Sequence, residues 1–282
     1  MPIIVNHLEY TYNPGTVFEK KAVNDVSFTI EDGEYVGLVG RTGSGKSTLA
    51  LHLNGLMKPT AGGVYVDGVD IFSEGYDMKK LRSEVGLVFQ YPEHQLFEED
   101  VFTDVCFGPK NLGLSAGEVE LRAYEALKAV GIPDDRFYVS PFDISGGEKR
   151  RAAIAGVLAM KPKVLVLDEP CAGLDPAGRE EILSLCDSLH EGMGITVILI
   201  SHSMDDLAEH AKRLIVMSNG QLVMDGPCHE VFSQREELES IGLAVPQVTA
   251  ILSDLAAMGL NVNTGLITIE EAKQEILRAL SR

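Results

Sequence analysis

Short apolar runs recur along the chain, and each is bounded by glycine or by polar residues. Unbroken apolar runs of about five residues are typical of strands that are buried on both faces of a parallel sheet. The runs cover residues 35–39, 85–89, 164–167 and 196–200. The pattern therefore predicts a sheet of buried strands with helical and polar segments between them.

Alternating segments with turn residues predict additional strands and hairpins. Residues 3–39 indicate strands joined by tight turns, with a hairpin signal at Asp32-Gly33. Asp67-Gly68 follows a short apolar strand, and Asn219-Gly220 separates two of them. Aspartate or asparagine before glycine favours the two-residue turn of a hairpin, so we expect antiparallel pairs at these positions.

Apolar residues at helical spacing lie between and after these strands. Ser115 and Glu118 match a capping box that opens one helix, and a second apolar helix covers residues 152–159. Beyond residue 230 two more helical patterns follow, the last of which opens with a capping box at residues 268–271. The tail is therefore expected to be a small helical extension that either packs on the core or forms an interface.

The segment 40–48 matches the phosphate-binding motif G-x-x-x-x-G-K-[ST]. Its glycines let successive backbone N–H groups point at a phosphate, and the helix that follows adds a partial positive charge. Lys46 can reach the β- and γ-phosphates, and the Ser47 hydroxyl can bind Mg²⁺. A glycine-rich turn without this role is the alternative, but a strand before the motif and a helix after it are the required context. The predicted nucleotide contacts here are Gly40, Arg41, Thr42, Gly43, Ser44, Gly45, Lys46, Ser47 and Thr48.

Polar side chains stand at the carboxyl ends of the other apolar runs. Gln90, the pair Asp168 and Glu169, and His202 each follow one of them. Because ligands bind at the carboxyl edge of such sheets, these side chains are candidate site residues. Asp168 suits a Mg²⁺ ligand and Glu169 a base that polarises water, whereas two solvated acids are the alternative. A lone histidine is usually structural, but we favour a γ-phosphate contact for His202 at this edge.

Composition narrows the possible functions. The 282 residues include 24 basic and 42 acidic side chains, which gives a net charge of −18. Such an acidic surface repels nucleic acid, so no nucleic-acid partner is expected. The start of the chain lacks a secretion signal, and no apolar stretch is long enough to span a bilayer. The four scattered cysteines indicate reduced, packing thiols and no metal site.

Over residues 1–230 the order and spacing of these motifs resemble the ABC-type ATPase family. The resemblance makes residues 40–48 the Walker A loop, Gln90 the Q-loop glutamine, Asp168 and Glu169 the Walker B pair, and His202 the switch histidine. The remaining positions that it implies are Tyr12 for stacking on adenine, Ser145, Gly146 and Gly147 for the signature, and Asp175 for the D-loop.

The family resemblance also implies a fold and a division into domains. It implies an α/β P-loop core with an antiparallel β subdomain, an α-helical signature subdomain and a small helical C-terminal extension. The ATPase domain would cover residues 1–230, with the helical subdomain at about residues 92–160. Residues 231–282 would form the extension, which is a possible dimer interface.

The residues around the predicted Q-loop are similar to those of ATPase subunits of energy-coupling factor transporters, most of all to the second of their two ATPase types. The similarity is carried by residues 90–99, 107–111 and 154–160. It implies a second ATPase subunit, like or unlike, a transmembrane coupling protein and a substrate-binding membrane protein. It also implies a peripheral position on the cytoplasmic face of the cell membrane and uptake of a vitamin or a transition-metal ion.

The implied mechanism uses ATP and Mg²⁺ at a site between two subunits, where Ser145 and Gly147 of one chain face the phosphate loop of the other. Catalytic roles fall to Glu169, His202, Gln90 and Lys46. Mg²⁺ would be held by Ser47 and Gln90, with Asp168 nearby.

Two features of the sequence qualify these expectations. Glu148 ends the signature where glutamine is usual, and Cys171 stands where threonine is common. Glu148 favours its own helix, but its charge is expected to approach a partner's triphosphate.

The acidic residues 98–100 either pair with a basic residue of the coupling protein or form a solvated loop.

Two other classes of protein were weighed. An ABC ATPase of DNA repair or translation, not coupled to transport, would need long coiled coils or two cassettes, and the chain has neither. A regulatory cassette that binds ATP without hydrolysis is opposed by the presence of Glu169 and His202. The sequence therefore favours a transport ATPase.

Overall fold

The computed structural model describes residues 1–281, which form two β-sheets surrounded by α-helices. The strands are β1 (Ile3–Tyr12), β2 (Lys20–Ile30), β3 (Tyr35–Val39), β4 (Ala61–Val66), β5 (Val69–Asp70), β6 (Val85–Val88), β7 (Val164–Asp168), β8 (Thr196–Ile200), β9 (Arg213–Ser218) and β10 (Gln221–Pro227). The helices are α1 (Lys46–Leu53), α2 (Met78–Glu84), α3 (Val101–Leu112), α4 (Ala116–Ala129), α5 (Gly146–Leu158), α6 (Pro176–Met193), α7 (Met204–His210), α8 (Cys228–Ser233), α9 (Arg235–Ser240), α10 (Gln247–Ala257) and α11 (Ile269–Leu280). Short 3-10 helices lie at Pro92–Gln95 and Asp134–Arg136.

The larger sheet has the strand order β10-β9-β3-β8-β7-β6, and only β10 runs antiparallel to its neighbour. The four strands predicted from unbroken apolar runs all lie in it. Successive side chains of a strand point to opposite faces, so each apolar run contributes side chains to two apolar clusters. In β7, Val164 and Val166 join one apolar cluster, whereas Leu165 and Leu167 join the other.

The smaller sheet is antiparallel, with the order β2-β1-β4-β5, and it packs over one face of the larger sheet together with α1. The hairpin predicted at Asp32-Gly33 is wrong, because β2 pairs with β1 while β3 pairs with β8 and β9 of the other sheet. The amide of Gly33 donates to Thr196 Oγ1 at 2.8 Å, so this turn crosses between the sheets.

The other two predicted hairpins are present. Asp67 and Gly68, and likewise Asn219 and Gly220, have positive φ angles, as a two-residue turn between right-twisted strands requires.

The helices after β6 form a separate layer in which α3 packs on α4 and α5. Ser115 caps α4 by accepting a hydrogen bond from the Glu118 amide. The predicted capping box is only half formed, because the Glu118 carboxylate accepts from Arg122 Nε at 2.7 Å one turn later. An ion pair within the helix has replaced the return contact to the cap.

The tail is built onto the core. Leu238, Leu243, Val245 and Ile267 are buried in the same apolar cluster as one face of the larger sheet. The capping box predicted at residues 268–271 opens α11. Other apolar side chains of α10 and α11 are exposed, namely Ile251, Ile269, Leu277 and Leu280. The tail therefore packs through one side and leaves an apolar surface on another.

The cysteines are free thiols, three of them buried and Cys171 partly so, which fits the expected packing role. Burial raises the pKa of Cys171 to about 11 and that of Cys228 to about 12, so both thiols are protonated at neutral pH. Within residues 1–281, every helix is too short or too polar to cross a lipid bilayer.

Candidate active site

The phosphate loop runs between β3 and α1 at the carboxyl edge of the larger sheet. Helix α1 begins at Lys46, so the helix expected after the motif already includes its last three residues. Gly45 caps this helix with a φ of 105°, and a Cβ atom there would lie 2.3 Å from the Ala22 carbonyl oxygen. Only glycine fits at this position, because a side chain would meet both the left-handed backbone and the neighbouring strand.

The Lys46 ammonium group is held inside the loop. Its Nζ donates to the carbonyl oxygens of Gly40 at 2.6 Å and Arg41 at 3.1 Å. Burial lowers the pKa of Lys46, and the charges of Glu169 and Asp168 oppose that shift. A buried cation supported by neutral carbonyls is prepared to meet an anion such as a phosphate.

A cavity of about 270 Å³ opens over this loop. It is lined by Tyr12, Lys20, Ala22, Thr42, Gly43, Gly45, Lys46, Ser47, Thr48, Gln90, Glu169 and His202. The chain thus brings Tyr12, Gln90, Glu169 and His202, which lie far apart in sequence, to the phosphate loop. Gly40 and Arg41 contribute backbone carbonyls beneath the cavity, and Ser44 is buried with no partner for its hydroxyl among residues 1–281.

Ser47 and Asp168 lie side by side at the floor of this region. Burial raises the pKa of Asp168, while the nearby Ser47 hydroxyl and the Lys46 charge act in the other direction. Within residues 1–281 no group of three or more His, Cys, Asp or Glu side chains could hold a metal alone. A hydroxyl and a carboxylate fit Mg²⁺, which usually completes its shell with phosphate and water oxygens.

Glu169 faces His202 across the cavity. His202 Nε2 lies 2.5 Å from Glu169 Oε1, and the Glu169 amide donates to the Ile200 carbonyl at 3.0 Å. Glu169 itself has a φ of 51°, a left-handed conformation that is costly for a residue with a side chain. The backbone is thus held in an uncommon shape that directs this carboxylate to the histidine, and such strain is concentrated at functional sites.

The signature residues lie elsewhere. None of the described residues that line the cavity comes from segment 145–147, and Asp175 is also absent from its wall. Ser145 caps α5, and its hydroxyl accepts from the Glu148 amide at 3.2 Å. Asp175 caps α6 by accepting from the Gly178 amide at 2.8 Å.

Glu148 lies in the first turn of its helix, and its expected approach to a partner's triphosphate stays a prediction. Its carboxylate turns back and accepts from the Ser145 amide at 2.8 Å, completing a capping box. Arg136 Nε lies 3.6 Å from its other oxygen. The Ser145 amide hydrogen bond holds the pKa of Glu148 below its usual value. The Glu148 carboxylate is therefore ionised, and its negative charge is partly compensated by the Ser145 amide and Arg136 of the same chain.

Arg150 is a structural centre that the sequence motifs did not reveal. Its side chain is only 2% exposed and forms a double hydrogen bond with Glu93, at 2.7 and 3.0 Å. It also donates to the carbonyls of Pro170 at 2.8 Å and Ala172 at 2.9 Å. One guanidinium thus joins the signature helix, the segment after Gln90 and the loop after Glu169. A buried cation needs a partner that compensates its charge, so an arginine on the apolar face of α5 is itself a signal of such a contact.

A large open groove lies on the helical side of the molecule, away from the cavity. It has a volume of about 700 Å³ between α2, α3, α5 and the segment 95–97. Phe97 and Phe107 meet edge to face at 5.0 Å, yet they are 59% and 44% exposed. Of the acids at 98–100, Asp100 is engaged as the cap of α3, accepting from the Thr103 amide at 2.8 Å.

A phosphate loop, a carboxylate pair, a histidine and a signature helix on this fold define the class of ABC-type nucleotide-binding domains. The sequence profile of the ABC transporter family matches residues 23–172. The chain is 51% identical over 280 residues to the energy-coupling factor transporter ATP-binding protein EcfA2 of Caldanaerobacter subterraneus subsp. tengcongensis, covering 99% of this chain and 98% of that protein. It is 52% identical to the protein of the same name from Symbiobacterium thermophilum, covering 100% of this chain and 97% of that one.

Solved structures agree with these sequence relatives. The structure of cbiO1 from Clostridium perfringens, described as part of the ABC transporter complex cbiONQ, matches with a TM-score of 0.75 at 36% identity, over 91% of this chain and 97% of that one. The cassette MJ0796, solved as a dimer bound to ADP and Pi, matches with a TM-score of 0.71 at 28% identity, over 80% and 98%. The chain belongs to the ABC transporter family and, within it, to the ATP-binding proteins of energy-coupling factor transporters.

Proposed function

We propose that this chain, an ATP-hydrolysing subunit of an energy-coupling factor transporter, turns over ATP at a site that a second ATPase subunit completes. The hydrolysis would power uptake of a vitamin or a transition-metal ion through membrane partners. One observation carries the proposal: Lys46, Gln90, Glu169 and His202 share one cavity, while segment 145–147 of the same chain does not line it.

Tyr12 lines the cavity and is the proposed adenine contact, since an aromatic ring can stack on a base. Residues 40–48 supply backbone N–H groups, and Lys46 can exchange its carbonyl partners for phosphate oxygens. Ser47, Gln90 and Asp168 are the proposed Mg²⁺ ligands. When bound, Mg²⁺ would neutralise charge on the phosphates.

Glu169 is the proposed general base. Its carboxylate can accept a proton from water, and its contact with His202 fixes its direction. His202 would hold the γ-phosphate and the water in line. This contact would have to open or rotate when a substrate enters, so the pair would act as a sensor of the γ-phosphate.

The signature of this chain would serve the partner's nucleotide. Ser145 caps helix α5, and Gly146 and Gly147 begin it; Ser145 and Gly146 are exposed at this end, where backbone N–H groups can bind anions. Asp175 would lie at the same interface. The dimeric cassette bound to ADP and Pi supports a two-subunit arrangement for this fold. We propose an unlike partner first and a second copy of this chain as the alternative.

The groove beside Phe107 is the proposed seat of a helix from the transmembrane coupling protein. It is apolar and open, and it adjoins the segment after Gln90, so docking there can reach the cavity. A substrate-binding membrane protein would complete the assembly. This chain would lie at the cytoplasmic face of the cell membrane as a peripheral subunit. Among residues 1–281, Glu98 and Glu99 form no ion pair, so both carboxylates could pair with a basic residue of the coupling protein. Neutralising these two while keeping the Asp100 cap tests that pairing without unfolding α3.

The division into an ATPase domain at residues 1–230, a helical subdomain at about 92–160 and an extension at 231–282 is kept as a proposal. Helix α8 crosses residue 230, so the boundary lies within a continuous packed region. The exposed apolar side chains of α10 and α11 support a role of the extension in dimer contact.

The direct test is Glu169→Gln. Loss of one preorganised catalytic group typically costs on the order of 10²–10³ in rate, so ATP turnover should fall by at least that factor while ATP binding persists. Glu180→Gln, on the exposed face of α6, is the matched control. Near-normal turnover by Glu169→Gln would refute the base assignment. Co-purification of the wild-type chain with membrane proteins separates the transporter from an ABC ATPase that is not coupled to transport.

A further inference from the structure

We infer that Lys20 is a further nucleotide-binding residue, whose ammonium group contacts the phosphate chain from the open side of the cavity. The inference rests on the proposed nucleotide site. Lys20 belongs to no motif in the sequence, and it lies at the start of β2, far along the chain from Lys46. It is nevertheless one of the residues that line the cavity.

The register of the antiparallel sheet directs Lys20 toward the nucleotide. Lys20 is the direct partner of Tyr12 in the β1–β2 pair, and Lys21 is the partner of Thr11. Residues directly opposite each other in an antiparallel pair share a face, while neighbours along a strand alternate. Lys20 therefore projects to the same side as the proposed adenine-stacking ring, and Lys21 projects to the other side.

The amine of Lys20 is within reach of the phosphate loop. Its Nζ lies 3.8 Å from the position that a Cβ atom on Gly43 would occupy. Gly43 is in the middle of the loop, two residues before the cap of α1, and it also lines the cavity. Lys46 lines the same cavity, so two cationic side chains, Lys20 and Lys46, border the space over the phosphate loop.

Charge pairing separates Lys20 from its neighbour. Lys21 forms an ion pair with Glu9 at 3.0 Å, whereas Lys20 has no ion-pair partner among the carboxylates of residues 1–281. A cation that no carboxylate compensates, on a chain with net charge −18, creates a local positive potential at the mouth of the cavity. A polyphosphate is the anion that the adjoining loop is shaped to hold.

The test measures the affinities of Mg-ATP, ADP and AMP for the full chain by calorimetry. Lys20→Gln should weaken ATP binding about tenfold, as expected for one charge-assisted hydrogen bond, with a smaller loss for ADP and the smallest for AMP. Lys20→Arg should retain most of the affinity. Lys21→Gln is the matched control and should bind all three nucleotides as the wild type does.

Two results would overturn the inference. One is ATP affinity of Lys20→Gln within about twofold of Lys21→Gln, since a charge-assisted contact is worth more than that. The other is an equal loss for ATP, ADP and AMP, which would place the contact at the base or sugar. Lys46→Ala tests the site itself: if that variant binds ATP as tightly as the wild type, the proposed site fails, independently of Lys20.

Discussion

The cavity over the phosphate loop and the groove on the helical side differ in how far the chain itself completes them. In the cavity, Lys46 is bound by two carbonyls and Glu169 by His202, so the polar groups are positioned before any ligand arrives. In the groove, Phe97 and Phe107 meet edge to face and both remain exposed. The polar groups of the cavity are therefore preorganised within this chain, whereas the groove is left open.

Arg150 lies between the two regions, and its removal has the largest effect on stability that we expect. Arg150→Met leaves Glu93 without its partner and two carbonyls without a donor, which costs about 3–5 kcal/mol for a broken buried pair. The double variant Arg150→Met with Glu93→Met should recover part of that loss. Arg151→Met is the matched control, because Arg151 pairs with the exposed Glu181. Urea denaturation measures all three variants.

If Arg150→Met were no less stable than Arg151→Met, the guanidinium would not be the tie between the signature helix and its neighbours. The comparison is sharp because the carboxylate of Glu181 is exposed, and ion pairs open to solvent are worth only about 0–1 kcal/mol.

A change in the groove should affect assembly and leave the cavity intact. Burying one phenylalanine contributes roughly 1.5–3 kcal/mol, so Phe107→Ser should weaken capture of the membrane coupling protein by about tenfold or more. Val223→Ser, at an exposed position of β10, is the control. Both variants should bind ATP normally. Unchanged capture by Phe107→Ser would contradict the docking role of the groove.

The smallest expected effect is on the pH dependence of stability. Burial acts to raise the pKa of Glu93, but the Arg150 hydrogen bonds and charge outweigh it and hold that pKa below its usual value. A carboxyl group with a lowered folded pKa stabilises the protein above the unfolded pKa and loses that contribution as the pH falls through the folded one. The wild type should thus lose stability below about pH 4.5, and Glu93→Gln should lose less over the same range.

Urea midpoints of the wild type and Glu93→Gln at neutral and acidic pH measure this difference. Equal pH dependence of the two proteins would show that the Arg150–Glu93 pair is not maintained in solution.

The elements that repeat a local pattern could be predicted, and those that depend on distant contacts could not. The apolar runs of β6, β7 and β8 had to be buried on both faces, so their sheet followed from the sequence. The turn at Asp32-Gly33 has the same local signal as a hairpin, but β3 pairs with β8 and β9, which lie about 160 and about 180 residues later. Only the tertiary structure decides whether β3 pairs with β2 in a hairpin or with β8 and β9 in the larger sheet.

The same distinction applies to the site. Residues 40–48, Asp168, Glu169 and His202 carry motifs, and the fold brings the loop, Glu169 and His202 into one cavity. Lys20 and Arg150 carry none, because their positions depend on strand register and on a buried contact with Glu93. Glu148 shows that even a residue inside a motif can have a contact that the sequence does not reveal. Its charge was visible in the sequence, but its return contact to Ser145 was not.

The central claim is that the nucleotide is shared between two subunits, and light scattering on purified Glu169→Gln protein tests it most directly. With Mg-ATP we predict a shift to a dimer, either with this chain alone or after its unlike ATPase partner is added. Gly147→Asp, in the first turn of α5, should abolish the shift while ATP still binds. A Glu169→Gln protein that binds ATP and stays monomeric in both mixtures would contradict a shared site.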